Sequence, residues 1–440
     1  MGRRVGFGGS ALQGAFLLCT VAFAVLSLGV EGAVSKQKLL EVERKLKQLN
    51  KTPVKSIQSE DGDIIDCVDI YKQPAFDHPA LKNHKIQMRP TPTQAHPPSV
   101  DRKEKDSSAI TIVDQTWHRS GSCPEGTVPI RRVKKSELLR ATSLERYGRK
   151  PYIPPPANKT ETDQIPGVDK MYARINGTHI LPSALEPNRT TSYLITQAYN
   201  YIGASGDINV WNPRVEADDE FSTAQIWVMS GPREEFDSAE AGWMVNPKLF
   251  GDRTTRLFTY WTDDSSWKTG CFNLVCPGFV QTSQEVALGA AISGVSSELG
   301  QQYQISLSIY MDLDTKNWWL GFGPNNITIG YWPGAIYGYL KHSGTMVKWG
   351  GEVYSSKIRG VKPHTTTAMG SGNWASYLWG HACFIQHVRI RDWSLTWKYP
   401  EWVYAMADEA DCYGVLQSRP RPLDEPVLFF GGPGRNNFCQ

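Results

Sequence analysis

The sequence has little excess charge of either sign and only one long hydrophobic run. Its 440 residues include 47 Lys and Arg against 44 Asp and Glu, which gives a formal net charge of +3. This balance argues against a nucleic-acid-binding protein and against a highly charged disordered chain. The length is sufficient for a large core and for two or three domains.

Several familiar catalytic motifs are also missing. The chain has no HExxH, CxxC, GxxxxGK[ST] or GxSxG motif, which removes the usual basis for a zinc peptidase, a thiol redox protein, a P-loop enzyme or an α/β-hydrolase. His381, Cys383 and His387 could in principle hold a metal ion from one strand face. Three such neighbours more often reflect packing, so we expect neither a metal nor a cofactor.

Tryptophan and charge divide the chain into two parts. Fourteen of the 15 Trp follow position 170, where 20 basic residues face 25 acidic ones, while residues 1–170 hold 27 basic and 19 acidic residues. The sequence therefore predicts a basic front part, poor in tryptophan, and a mildly acidic globular back part.

The one long hydrophobic run lies at the N-terminus. It extends from Ala15 to Leu28 after Arg3 and Arg4, and it is shorter than the ~20 residues of a spanning helix. We predict a signal peptide over 1–32, cleaved after Gly32. The product would be secreted to the extracellular space, the cell wall or the vacuole, without a membrane anchor. Asn-x-Ser/Thr triplets suit glycosylation on this route, at Asn50, Asn158, Asn176, Asn188 and Asn326.

Seven cysteines remain after removal of the signal, and an oxidising compartment favours their pairing. Cys67 would pair with Cys123 if the two parts fold separately. The short span between Cys271 and Cys276 suits a local bridge, and Cys412 with Cys439 could tie down the C-terminus, leaving Cys383 over. Spacing alone leaves this connectivity open.

Local patterns divide the mature chain into three segments. KQKLLEVERKLKQLN, which starts at Lys36, has the period of an amphipathic helix and opens a small, mixed accessory unit over 33–150 with one disulfide. A proline-rich linker follows over 151–170 and is the strongest domain boundary. Residues 171–440 form the third segment.

The third segment alternates as β-strands do. In QISLSIYM, residues 304–311, apolar and polar side chains take opposite faces, and the apolar phase of HVRIRDWSLTW switches, which predicts a bulge near Asp392. GASGD at 203–207 and GFGPNN at 321–326 are typical of turns. We predict an all-β fold, an antiparallel β-sandwich.

Two glutamates stand out on predicted strands. Glu240 shares a strand face with Gly242, and Glu352 shares one with Gly350 and Tyr354, while apolar side chains take the opposite faces. Glycine at these positions would let an extended ligand lie close to both carboxylates. Such a pair can activate water and protonate a leaving group when one carboxyl is ionised and the other is not.

The chain resembles the neprosin family of plant secreted proteins over nearly its whole length after the signal. The resemblance is carried by INVWNPRVEADDEFSTAQIWVMSG, EAGWMVNP, FTYWT, TGCFNLVCPGFVQTS, GYWP, WGGEVYSS, MGSG and FFGGPGRNNFC, and in the front part by KQKLLEVERKLKQLNKTPVKSIQSEDGDIIDC and CPEGTVPIRR. One departure is NWASYLWGHACFIQH after MGSG, which introduces Cys383.

The resemblance implies an acid-active glutamic endopeptidase that cleaves after proline and is made as a zymogen. It also implies that Glu240 of EAGW and Glu352 of WGGE are the catalytic pair, and that Cys271–Cys276 and Cys412–Cys439 are bridged. The substrates would be proline-containing proteins or peptides. The basic residues 33–150 would be the prosegment, which inhibits the acidic domain of the same chain.

Two other functions use the same features. A non-catalytic β-sandwich that binds carbohydrate or cell wall would stack its tryptophans on sugar rings, although a core role is the commoner one for tryptophan. A glycosidase also uses paired carboxylates, and the separation of the two carboxyl groups distinguishes it.

Overall fold

The computed structural model describes residues 35–91, 110–112, 114–151, 188–232, 235–419 and 425–440. The predicted signal peptide, most of the predicted linker, Asn158 and Asn176 lie outside these residues. In the part of the chain that the structure describes, no helix is both long and apolar enough to cross a membrane.

The front part is a small mixed unit, as the sequence predicts. Helix α1 (Lys36–Leu49) is capped by the Ser35 hydroxyl and buries Val42, so the predicted amphipathic helix is confirmed. The other elements of this part include β1 (Pro53–Gln58), β2 (Ile64–Asp69), β3 (Ile110–Ile112), β4 (Asp114–Gln115), β5 (Thr127–Arg131) and α2 (Lys135–Arg140). Strands β1, β2 and β5 form an antiparallel sheet.

The back part is built almost entirely from strands. Its one α-helix among the described residues is the single turn α3 (Pro247–Phe250). The strands are β6 (Arg189–Asn209), β7 (Phe221–Ser230), β8 (Asp237–Val245), β9 (Arg256–Thr262), β10 (Cys271–Phe272), β11 (Val280–Gln281), β12 (Ile292–Ser293), β13 (Gln302–Met311), β14 (Trp318–Phe322), β15 (Ile327–Trp332), β16 (Gly344–Tyr354), β17 (Cys383–Asp392), β18 (Trp397–Lys398), β19 (Tyr404–Ala407), β20 (Gly414–Ser418) and β21 (Val427–Gly431).

Strand β6 belongs to both layers of the sandwich. Its first half pairs with β16 on one side and β19 on the other, and β16 continues into β7, β8 and β9. Its second half pairs with β13 and β17. The pairings within the two layers are antiparallel, which confirms the predicted β-sandwich, and the curl of one long strand closes it.

GASGD does not form the turn that the sequence predicts. These residues continue β6, because the two glycines serve packing against other strands. A Cβ on Gly203 would lie 2.8 Å from the Trp397 ring, and one on Gly206 would lie 3.3 Å from the Trp349 ring. Glycine here permits the close approach of side chains where the strand curves between layers. GFGPNN, in contrast, joins β14 to β15 as a turn.

The core between the layers is rich in tryptophan. Nine of the 15 Trp side chains are buried. Six of these lie in the main core cluster, and two of the six also bond across the layers. The indole of Trp349 donates to the carbonyl of Ser205 at 3.0 Å, and that of Trp243 donates to the carbonyl of Asn209 at 2.9 Å. Both acceptors lie on the curved second half of β6, so these bonds fix the layer of β7, β8 and β16 to it.

The change of phase in HVRIRDWSLTW corresponds to irregular pairing of β17 with β6. The register shifts between Gln386 and Arg389 and again between Arg391 and Asp392. His387 has a positive φ of 52° within the first shift. The pairing is thus irregular near Asp392, as predicted, but there the extra residue belongs to β6, and the extra residue of β17 lies earlier, between Gln386 and Arg389.

The structure contains three disulfides, Cys67–Cys123, Cys271–Cys276 and Cys412–Cys439. Cys383 is a buried free cysteine. Among the described glycosylation candidates, Asn50 already uses both atoms of its side-chain amide, which exchanges two 2.9 Å hydrogen bonds with the backbone of Val133.

A buried ionic cluster joins the front part to the sandwich. Asp63 pairs with Arg131 of the front part at 3.0 Å and with Arg256 at the start of β9. Burial disfavours the charged carboxylate, but the two guanidinium groups outweigh it and lower the pKa of Asp63. Asp63 is therefore ionised at neutral pH and anchors the two parts to each other.

We expect Asp63→Asn to destabilise the full chain by about 3–5 kcal/mol, because it leaves two buried guanidinium groups without their shared carboxylate. Urea unfolding at pH 7 measures the change. Asp314→Asn, at an exposed turn, is the matched control and should leave the unfolding free energy nearly unchanged. Equal stability of the two variants would contradict the anchoring role.

Candidate active site

Three neighbouring strands bring the two glutamates to one sheet face. Glu352 on β16 lies opposite Thr223 of β7, and Glu240 on β8 lies opposite Trp227 of β7. Residues directly opposite each other share a face, and so do alternate residues of one strand. Both glutamates therefore project from the face that points away from the tryptophan-rich core.

Gln225 occupies the row between them. It lies opposite Gly242 on one side and opposite Gly350 on the other. A Cβ on Gly242 would lie 2.6 Å from the Cα of Gln225, and one on Gly350 would lie 2.7 Å from the Cα of Tyr193. The glycines therefore allow neighbouring backbones to approach, and they bring the strands that carry the glutamates close together.

Glu240 is held by neutral donors on both of its oxygens. The amide of Gln225 donates to Oε2 at 2.6 Å, and the hydroxyl of Ser238 donates to Oε1 at 2.8 Å. These two bonds fix the carboxylate in one orientation toward the middle strand. Oε1 of Gln225 is itself buried without a hydrogen-bond partner in the described residues.

Lys150 connects the two glutamates. Its ammonium Nζ lies 2.7 Å from Oε2 of Glu240 and 3.5 Å from Oε1 of Glu352. The two carboxylate oxygens therefore lie no farther apart than the sum of these distances. The side chains of all three residues are almost fully buried, so the front part of the chain delivers a cation into the site and covers it.

A small pocket surrounds this group. Sequence reasoning missed most of its members, because spacing along one strand does not show which distant strands become neighbours. The pocket is lined by Lys150, Arg189, Thr191, Trp227, Met229, Phe236, Glu240, Ser266, Lys348 and Glu352.

Tyr354, predicted beside the cleft, lines a larger neighbouring cavity instead. Its ring stacks on Phe221, with centroids 5.2 Å apart. Front-part residues, including Leu138 and Tyr147, pack into the same apolar cluster as Phe221, against which Tyr354 rests. The surface next to the glutamates is thus aromatic and is covered by the front part.

Asp237, at the start of β8, is a further titratable group near the pocket. It is fully buried and accepts hydrogen bonds from the backbone of Tyr339 and Leu340 at 2.6 and 2.8 Å. Burial raises the pKa of Asp237 to about 6 although these hydrogen bonds oppose the change. This carboxyl therefore takes up its proton in mildly acidic solution.

The structure does not gather the histidines and the cysteine near 381–387 into one site. His381 pairs with Glu298 at 2.6 Å, and His387 pairs with Asp207 at 2.9 Å. His364 lies near Cys412 and Cys439, but those sulfurs are joined in a disulfide, so they are not thiolate ligands.

Two family profiles match successive parts of the chain. The family profile described as Neprosin matches residues 218–433, and the profile described as Neprosin activation peptide matches residues 56–176. The first match contains both glutamates, and the second contains Lys150.

Solved structures of two peptidases show weak likeness. Scytalido-glutamic peptidase with a transition state analog inhibitor is 9% identical, covers 55% of this chain and 97% of its own, and has a TM-score of 0.32. SCP-B, a member of the Eqolisin family of peptidases, in a complex with the tripeptide Ala-Ile-His, is also 9% identical. The match covers 56% of this chain and 98% of the SCP-B chain, with a TM-score of 0.29.

The assignment therefore depends on the two family profiles, which together span most of the chain, with the activation-peptide profile before the Neprosin profile. The chain belongs to the neprosin family and carries the activation peptide of that family in its front part.

Proposed function

We propose that the chain is the precursor of a secreted, acid-active glutamic endopeptidase that cleaves after proline. The observation that carries the proposal is the contact of one prosegment cation, Lys150, with both Glu240 and Glu352. A prosegment that neutralises two buried carboxylates at once marks them as the group that the precursor must keep inactive.

In the mechanism, the two glutamates divide the proton transfers. One carboxylate takes a proton from a water molecule as the water oxygen attacks the scissile carbonyl carbon, and the other carboxyl gives its proton to the amide nitrogen as the C–N bond breaks. Glu240 and Glu352 are assigned jointly as base and acid. Gln225 positions Glu240 through its 2.6 Å hydrogen bond.

The aromatic lining supports a preference for proline. Trp227 lies beside Glu240 in the same cross-strand row, and Phe236 lines the same pocket. The flat, apolar ring of proline packs well on aromatic surfaces. A proline next to the scissile bond could therefore be held against these rings.

Two carboxyl groups support activity in acid. Asp63 has a lowered pKa, so its contribution to prosegment docking is complete above about 4 and is lost as the pH falls through the lowered value. Asp237 has a pKa raised to about 6, so the sandwich gains stability as the pH falls through that value toward about 4. Acid thus loosens the prosegment while it favours the enzyme domain.

Replacement of either glutamate should abolish cleavage. We expect Glu240→Gln and Glu352→Gln in the full, acid-treated chain each to lower kcat/KM on a proline-containing peptide by about 10³-fold or more, because each glutamine removes a proton-transfer group. Peptide hydrolysis followed by mass spectrometry measures this. Glu298→Gln, a surface change, is the control, and a double variant that still cleaves would disprove the mechanism.

Lys150→Met should weaken latency. Without the ammonium, docking of the prosegment buries two carboxylates with no cation between them, so we expect activation after a shift to pH 4 to become at least roughly tenfold faster. The rate at which peptide cleavage appears is the measurement. Lys36→Met, at the exposed start of α1, should activate like the wild type, and an unchanged rate in Lys150→Met would refute the blocking role.

Asp63→Asn should move activation toward neutral pH. The asparagine cannot carry the charge that Asp63 loses only in acid, so the variant precursor already has the weakened docking at pH 7. Activity measured after incubation from pH 3 to pH 7 should show a higher activation midpoint than in the wild type. An identical midpoint would show that other groups govern release.

A further inference from the structure

Lys348 is a second lysine at the glutamate pocket, and the mechanism above does not use it. It lies on β16, four residues before Glu352 and on the same sheet face. Its cross-strand neighbour on β7 is Trp227, which in turn lies opposite Glu240 of β8. The residue is only 8% exposed and lines the pocket. Its cation therefore belongs to the enzyme domain and stays when the prosegment leaves.

The ammonium of Lys348 has no anionic partner. In the ranges that the structure describes, it makes no salt bridge and no hydrogen bond. Its Nζ lies over the ring of Tyr193, 4.7 Å from the ring centroid. Lysine that is nine-tenths buried is ordinarily paired. Lys150 in the same pocket shows the ordinary case, because it meets two carboxylates.

We propose that Lys348 is a binding subsite for a carboxylate of the substrate. The inference rests on the proposed peptidase function and adds a substrate class to it: peptides that carry an anionic group near the scissile bond. Two sources share this chemistry, the side chain of Asp or Glu and the free C-terminal carboxylate of a short peptide. Either would supply the ion pair that the folded chain leaves open.

The strand geometry sets the distance of this subsite from the reaction centre. Four residues of β-strand separate Lys348 from Glu352, which is about 13 Å along the strand. Two strand spacings, or about 10 Å, separate it from Glu240. An extended peptide advances about 3.3–3.6 Å per residue. The carboxylate should thus lie within about three residues of the scissile bond.

The charged groups around Lys348 define the pH range for a test. Those that line the pocket with it are Lys150, Arg189, Glu240 and Glu352, and Lys150 departs with the prosegment. The substrate carboxyl of a glutamate must be ionised to bind a cation, and its usual pKa is about 4.3. Recognition by Lys348 should therefore be strong at pH 5.5 and should fade toward pH 3.

The experiment uses the full chain after acid activation and a set of peptides that contain one proline. Glu or Gln is placed in turn at each of the three positions on either side of the scissile bond except that of the proline itself, and the neutral peptide is also made with a free or an amidated C-terminus. We expect kcat/KM at pH 5.5 to be about tenfold higher for Glu than for Gln at one position, or for the free acid than for the amide.

Substitutions then connect the preference to Lys348. The ratio of kcat/KM for the acidic and the neutral peptide should fall to about one in Lys348→Met and remain above one in Lys348→Arg. Lys341→Met, an exposed lysine before the same strand, should keep the wild-type ratio. In the wild type the ratio should approach one at pH 3.

Three outcomes would overturn the proposal. Cleavage of neutral peptides with no acidic preference at any position rejects the subsite and leaves the peptidase function intact. An equal loss on acidic and neutral peptides in Lys348→Met, with the ratio unchanged, shows a structural role. If the wild type cleaves none of the peptides, the peptidase function is rejected together with the subsite.

Discussion

The arrangement of the front part on the sandwich depends on one electrostatic constraint. Two carboxylates are buried on one face of one sheet layer. Glu240 and Glu352 are each 3% exposed in the precursor, and buried carboxylates that lack a counter-charge are strongly unfavourable. Lys150 supplies that charge, and its position near the end of the described front part determines where the prosegment must dock. In the proposed function, latency and catalysis thus depend on the same two carboxylates.

Net charge gives only a partial account of that docking. The basic front part and the acidic back part attract each other overall, but a buried ion pair outside the site reverses these signs. There an acidic residue of the front part, Asp63, meets an arginine of the sandwich, Arg256. Such a buried pair is sensitive to protonation and little screened by salt. Acid can therefore act on the interface at a few specific groups.

Local sequence pattern was sufficient for some features and insufficient for others. Alternation placed Glu240 and Glu352 on strand faces opposite their apolar neighbours, and the helix of residues 36–49 followed from its period. GASGD failed as a turn because its glycines accommodate Trp397 and Trp349, which come from remote strands. Glycine occurs both in turns and at positions inside a strand where a remote side chain approaches closely. Only the tertiary contacts show which of the two applies.

The sequence by itself determined the fold class, and it predicted the two-part organisation and the two candidate glutamates, because strand period, composition and family motifs are local or linear properties. The tertiary structure decided what surrounds those glutamates. Lys150 and Lys348 reach the glutamate pocket, and Gln225 reaches Glu240, only because β7 lies between β8 and β16 and the front part folds over them. Strand order and prosegment docking depend on the packing of distant segments, which the spacing of residues along the chain does not show.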